Sequence, residues 1–331
     1  MVLHSNLDNF ERLFDSYCLE DNFCWENNSG QPCTLIGEVI NRMIFSLITL
    51  KKIWNTGSKI YTRDIFFLFI LGLPIIRKAV DRPVIYECHN LYDYTWKFPR
   101  FMESIAIKRA DKIFAVSKGV ENSLLSEFNI SEGKIFLKRN CVDLEVFNSV
   151  NNSFHEDVLD PDKINILYAG SDKAGKGVQF LIDAFKDLDD EKFKLVLAGS
   201  IENRYEKENI EVLEWLPESE LFTLMRESDV LVLPSTDNYY QRTYTSPMKL
   251  LEYMASKSMV LASDLPTSKE IAKDTVMYFK PGKSKELSKK LEMLEYPDCY
   301  EGDIDKAYRI IEENYLWNSK SDNIIENFKT L

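Results

Sequence analysis

The sequence predicts an α/β protein made of two doubly wound domains of similar size. Three observations carry this. Short β-rich runs alternate with helical periods along most of the 331 residues, which implies parallel strands joined by right-handed crossovers. The alternation stops once, at the polar stretch NSVNNSFHEDVLDPDK (148–163), and then restarts. The length also suits two domains of about 100–200 residues each.

In order, KIYTR (59–63) reads as a strand. DIFFLFILGLPIIRKAV follows as a helix kinked before Pro74, because proline cannot donate inside a helix. PVIYECHN, KIFAVS and KIFLKRN read as strands, separated by the helices FMESIAIKRA and KGVENSLLSEF. After the polar linker, INILYAGS, FKLVLAGS, IEVLEWL, VLVLPS and MVLASD read as strands. The helices between and after them are GVQFLIDAFKDL, ESELFTLMRES, PMKLLEYMAS, TSKEIAK, SKELSKKLEMLE and the last 28 or so residues. The expected division is an N-terminal domain over 1–155, a C-terminal domain over 163–305, and a helical segment over 306–331 packing back toward the first domain. Ligands of open α/β sheets bind at the carboxyl ends of strands, where the strand order reverses. Two such domains would face each other across a cleft.

Composition narrows the function. A net charge of −12, weighted to the C-terminal half, argues against nucleic acid as a partner, since that needs a basic face. The six cysteines, Cys18, Cys24, Cys33, Cys88, Cys141 and Cys299, form no Cys-x-x-Cys pair, and three histidines do not suggest a structural zinc. Reduced thiols fit a cytoplasmic location. The apolar run 65–76 is short of the roughly 20 residues a membrane span needs. RMIFSLITLKKIW (42–54) reads as a core helix, with peripheral contact to anionic lipid as the alternative.

Three stretches could carry chemistry. In YAGSDKAGKG (168–177) a strand ends at Gly170, a polar loop begins at Ser171, and Lys176-Gly177 opens a helix. A helix N-terminus with a lysine suits phosphate; the plain alternative is a Gly-rich turn with a surface lysine. In YTSPMKLLEYMA (244–255), Ser246 suits an N-cap and Pro247 the first helical position. Met248, Leu251, Met254 and Ala255 mark a buried face, and Glu252 lies on its edge. A half-buried acid needs a partner: Lys249 at i−3, or a pair of ligand hydroxyls. YECHN (86–90) places His89 and Asn90 at a strand end. Arg63, Lys138 and Arg139 end neighbouring strands, and basic groups at strand mouths suggest an anion. The pairs Asp160/Asp162, Asp187/Asp189 and Asp303/Asp305 fall in polar contexts and read as solvated surface.

Taken in order, IYTR, VIYECHN, ADKIFAVS, KIFLKRNCVD, ILYAGSDKAGKGVQFLIDAF, LVLAGS, ESDVLVLPS, SPMKLLEYMASKSMVLASD and YLWNSKSDNI resemble the family 4, or group 1, retaining glycosyltransferases. The resemblance covers about residues 59–318 and implies the GT-B fold, two Rossmann-like domains facing across a cleft. It implies transfer of a sugar from a nucleotide donor with retention, for polysaccharide or other glycan synthesis. Lys176 would hold the donor phosphates, helped by the helix starts after Gly170 and at Pro247. Glu252 would bind the ribose hydroxyls, Trp215 would meet the base, and His89 would face the transferred sugar. No metal or other cofactor is implied, a UDP-sugar is expected ahead of GDP- or ADP-sugars, and the acceptor is a glycan, lipid-linked or small molecule. Two positions depart from the family. Ser171 stands where an arginine is usual, with Arg63, Lys138, Arg139 or Lys249 as substitutes. Tyr244 stands where the first of two glutamates usually grips the donor sugar. These departures motivate the alternative of a non-catalytic subunit with the same fold.

Overall fold

The computed structural model describes residues 35–54, 57–91, 100–149, 158–202, 209–295 and 300–331. Expectations at Cys18, Cys24, Cys33 and Cys299, and for 150–157 of the linker, lie outside the described residues. The chain divides into two compact units. The first takes Met1–Ala115, Val120–Leu137 and Ile325–Leu331; the second takes Val116–Gly119 and Lys138–Ile324.

The first unit holds a parallel sheet in the order β1 (Ile60–Thr62), β2 (Val84–Cys88), β3 (Lys112–Ala115), β4 (Ile135–Leu137). Every residue of β2 is buried, as a parallel strand covered on both faces requires. Its helices are α1 (Leu35–Ile53), α2 (Ile65–Gly72), α3 (Pro74–Ala79), α4 (Arg100–Arg109) and α5 (Lys118–Phe128). Asp64 starts α2, its carboxylate accepting from the Phe67 N–H at 2.7 Å. The expected kinked helix over 64–80 is two helices instead. Leu73 is extended, at φ −62° and ψ 134°, because the proline ring excludes the preceding residue from the helical region. Pro74 then opens α3, where its missing N–H costs nothing.

Helix α1 packs on α2, and between Met43 and Ile53 a stripe of Ser46, Leu50 and Ile53 is buried. The core-helix expectation for 42–54 therefore holds for one face only. At the other end of the chain, Lys112 Nζ donates to the Asn327 carbonyl at 3.1 Å and side-chain oxygen at 2.9 Å, and Lys59 Nζ donates to the Phe328 carbonyl.

The second unit is a six-stranded parallel sheet in the order β10-β9-β8-β5-β6-β7. The strands are β5 (Ile164–Ala169), β6 (Phe193–Ala198), β7 (Ile210–Leu213), β8 (Val230–Leu233), β9 (Met259–Ser263) and β10 (Met277–Phe279). Its helices are α6 (Leu144–Ser149), α7 (Val178–Phe185), α8 (Glu218–Glu227), α9 (Tyr239–Thr243), α10 (Met248–Ala255), α11 (Pro266–Ala272), α12 (Ser284–Glu292), α13 (Glu301–Asn314) and the start of α14 (Trp317–Lys329). Strand side chains alternate between faces, and this splits the core in two. Leu167, Val196, Leu231 and Val260 join α6, α8, α10 and α13 on one side. Ile166, Leu195, Val230 and Leu261 join α7 and α12 on the other.

The long run of the second unit begins at Lys138, ahead of the polar stretch. Within that stretch's approach, Phe147 is buried and stacks on Phe222 with centroids 4.1 Å apart. The short elements β10, α6 and α9 were not anticipated; at three to six residues they carry too little periodicity to read.

Candidate functional site

The second sheet reverses its strand order at β5. The chain moves outward through β6 and β7, then returns to lay β8 on the other side of β5. The loops leaving β5 and β8 therefore diverge at the carboxyl edge, which is where open α/β sheets hold ligands.

The loop after β5 is fixed by its backbone. The Gly170 N–H donates to Ala198 at 2.8 Å, and the Tyr168 hydroxyl donates to the Ser171 carbonyl at 2.7 Å. The Tyr168 phenol is pushed up, chiefly by burial, so it stays a donor. Thr236, beyond β8, donates its N–H to the Gly175 carbonyl at 3.0 Å, which laces the two loops together. Gly177 sits at φ 72°, and a Cβ there would lie 1.8 Å from the Pro234 carbonyl oxygen; only glycine fits. Gly177 caps α7 with no side-chain hydrogen bond, and Lys176 beside it is exposed. Lys176 is thus exposed at the switch point, beside the start of α7. Lys173, on the same loop, is exposed too.

Helix α10 starts after Pro247, again with no side-chain cap. Ser246 is not the cap that its residue type suggested. Its hydroxyl accepts from the Asn140 N–H at 3.1 Å, and its carbonyl accepts from Asn140 Nδ2 at 2.7 Å. The buried face also differs from expectation. Leu250, Leu251, Tyr253, Met254 and Ala255 are buried, whereas Met248 is exposed. Tyr253 is the anchor: its fully buried hydroxyl accepts the Ala169 N–H at 2.8 Å, tying α10 to the last residue of β5. A buried phenol needs such a partner, but nothing local in the sequence says that the partner lies 84 residues away.

Glu252 follows at the helix edge, with its side chain 14% exposed. Lys249 Nζ lies 2.8 Å from Oε2, off the direction of a hydrogen bond. The carboxylate's lone pairs retain capacity for hydroxyl donors. Tyr244 is 3% exposed and packs edge-on against Tyr239 and Tyr240, at 5.6 and 6.1 Å between centroids. It is a packing phenol. Trp215 lies on the loop after β7, 77% exposed. That loop is two strands from β5, or roughly 10 Å at normal strand spacing.

The expected cations separate into different roles. Arg139 is committed to Glu270 at 3.0 Å, and the Lys118 N–H also donates to that carboxylate at 3.2 Å. Lys249 is committed to Glu252. Lys138 is half-buried and its pKa is lowered, first by burial and also by Lys320. In the first unit Arg63 is exposed and Asn90 half-exposed. His89 Nε2 meets the buried Glu87 carboxylate at 2.8 Å, a contact that orients the ring and leaves Nδ1 as the other working nitrogen. Among the described residues no group of acidic, His and Cys side chains could hold a metal ion. Asp160 accepts from the Asp162 N–H, a turn contact.

Residues 163–295 match the family Glycosyl transferases group 1, and residues 40–146 match Glycosyltransferase Family 4. An uncharacterised 41.2 kDa protein of the Klebsiella pneumoniae cps region is 27% identical over 205 residues, covering 57% of this chain and 57% of that protein. The O-antigen chain mannosyltransferase RfbU of Salmonella typhimurium is 24% identical over 212 residues, covering 60% of this chain and 56% of its own length. The chain thus spans little more than half the length of these relatives. Anabaena HepE, solved with UDP-glucose, has a similar fold: TM-score 0.70, 15% identity, 86% of this chain and 82% of that one.

Proposed function

We propose, from the premise that this chain belongs to the group 1 (family 4) glycosyltransferases, that it moves a sugar from a nucleotide-sugar donor to a glycan, lipid-linked or small-molecule acceptor. The observation that supports this most is the start of α7 at the reversal of strand order, without a side-chain cap and with Lys176 beside it; α10, in the crossover from β8 to β9, also starts without a side-chain cap. Helix-start dipoles and a lysine there suit a diphosphate and the charge it gains on leaving. Those groups can supply the positive charge that a metal would otherwise bring, so the transfer is proposed as metal-independent.

Glu252 takes the ribose hydroxyls and Trp215 stacks on the base. Gly170 lets the donor approach the backbone, and Ser171, Ser246, Pro247 and Lys249 shape the surrounding wall. His89, held by Glu87, serves the transferred sugar. Asn90, Arg63 and Lys138 are placed on the acceptor side in this reading. The donor is a UDP-hexose, the class of ligand in the HepE complex. In the reaction, the bond from the anomeric carbon to the diphosphate oxygen breaks. The acceptor oxygen then bonds to that carbon on the same face, and its proton leaves with the departing phosphate. With Tyr244 buried where a glutamate would grip the sugar, that carboxylate contact is not part of this reading.

The test is a panel of UDP-, GDP- and ADP-hexoses offered with lipid-linked and soluble glycan acceptors. Nucleotide release and the anomeric configuration of the product are read by chromatography and NMR. Acceptor-dependent UDP release with retained configuration is expected. Donor binding without turnover on any acceptor would favour the non-catalytic subunit, and inversion would remove the retaining assignment.

A further inference from the structure

A helix that is apolar on all sides belongs in a core or against something else apolar. From Met43 to Ile48 helix α1 carries large apolar side chains on the side turned away from its buried stripe, where no core covers them. Met43, Ile44, Phe45, Leu47 and Ile48 are 38–56% exposed, while only Ser46, Leu50 and Ile53 of the same stretch are buried against the unit. Five adjacent large apolar side chains facing outward make a patch, and such patches mark interaction surfaces.

The pattern at the end of the helix says what kind of surface it meets. Residues four apart stack along a helix face. Met43 and Leu47 are followed one turn later by Lys51, and Ile44 and Ile48 by Lys52, both exposed in the last turn. Trp54, 44% exposed, closes the row. Arg82 donates to the Ile53 carbonyl at 2.7 Å and the Trp54 carbonyl at 2.9 Å, so the segment following α3 meets this end of α1. Arg77 and Lys78, a few residues earlier in the last turn of α3, are both exposed. Asp81 lies among them in the chain, and Asp111 pairs with the neighbouring Arg109. The result is an apolar strip ending in a cationic rim with a tryptophan at the boundary, on a chain whose net charge is −12. A protein partner would need only the apolar strip. An anionic bilayer surface matches both parts: acyl chains for the strip and headgroups for the rim. Among the described residues no helix is long and apolar enough to cross a membrane.

We infer that α1 lies in the surface of an anionic membrane, inserting Ile44, Phe45, Leu47 and Ile48 among the acyl chains with Lys51 and Lys52 at the headgroups. This stands on exposure and charge alone and holds whether or not the chain transfers sugars.

The test is co-sedimentation of the full chain with vesicles of phosphatidylglycerol and phosphatidylethanolamine, against vesicles of phosphatidylcholine. Binding to the anionic vesicles and little to the neutral ones is expected. Lys51→Gln with Lys52→Gln should weaken it on the order of 25-fold, at about fivefold per basic residue. Ile44→Asp with Ile48→Asp should abolish it while leaving the melting temperature and donor binding unchanged, since both side chains are about half exposed. Absence of binding to anionic vesicles would overturn the inference. So would a dimer, seen by light scattering, that Ile44→Asp with Ile48→Asp dissociates, because the face would then belong to a second copy.

Discussion

Replacing Tyr253 with phenylalanine removes one oxygen from the centre of the second unit. That oxygen is fully buried and accepts the Ala169 N–H at 2.8 Å. The ring volume hardly changes, so no cavity is opened beyond the missing hydroxyl. The amide is left unpaired in a dry place, which costs about 1–3 kcal/mol. For a unit of this size, each kcal/mol lowers the melting temperature by about 2–4 °C, giving a drop of about 2–12 °C. The helix also loses its tie to β5, so its N-terminus and Glu252 should wander relative to the loop at Gly170. Calorimetric melting gives the stability change, and donor titration gives the second effect, an affinity loss larger than that of a surface control. A variant that melts within about 1 °C of the wild type and binds donor unchanged would refute the claim that Tyr253 clamps the site.

Three further outcomes are expected. Gly177→Ala forces a side chain into the left-handed region and a Cβ within 1.8 Å of Pro234 O; the conformational term alone is about 1–2 kcal/mol, so denaturant titration should show at least that loss together with weaker donor binding. Trp215→Ala, at a 77% exposed residue, should leave the melting temperature unchanged while lowering donor affinity by about 1–3 kcal/mol, the usual worth of a base stack; unchanged affinity would remove Trp215 from the base site. Burial pushes the Cys88 thiol up to about 12 from an ordinary 9.0. The folded state favours the neutral thiol, so its contribution to stability is intact below pH 9 and is lost as pH rises toward 12. Peptide mapping after thiol labelling at pH 8 should find Cys88 unmodified in native protein and modified in denaturant.

Much of this architecture was legible because parallel strands buried on both faces read as apolar runs, and β2, β5, β8 and β9 are such runs. The i−3 partner of Glu252 was legible for a similar reason, since Lys249 lies on the same helix. Contacts between distant segments were not. Tyr253 meets Ala169, Arg139 meets Glu270, and Asn140 occupies Ser246, across separations that no local pattern encodes. The buried stripe of α10 was misjudged at Met248 for a related reason: α11, α13 and β9 all pack on that helix and together choose the face it buries. Within the polar-looking approach to the linker, a single aromatic, Phe147, was enough to hold α6 in the second core.

The central claim is that the switch point of the second unit binds a nucleotide sugar through Lys176, the starts of α7 and α10, and Glu252. Isothermal titration of the purified chain with UDP-hexoses tests it most directly. One saturable site is predicted, weakened in Glu252→Ala by about tenfold or more, a change near 1.4 kcal/mol for one lost charge-assisted pair of hydrogen bonds, while the variant's melting curve stays that of a folded protein. Absence of binding heat with every nucleotide sugar at millimolar concentration, or equal affinity in the variant, would contradict it.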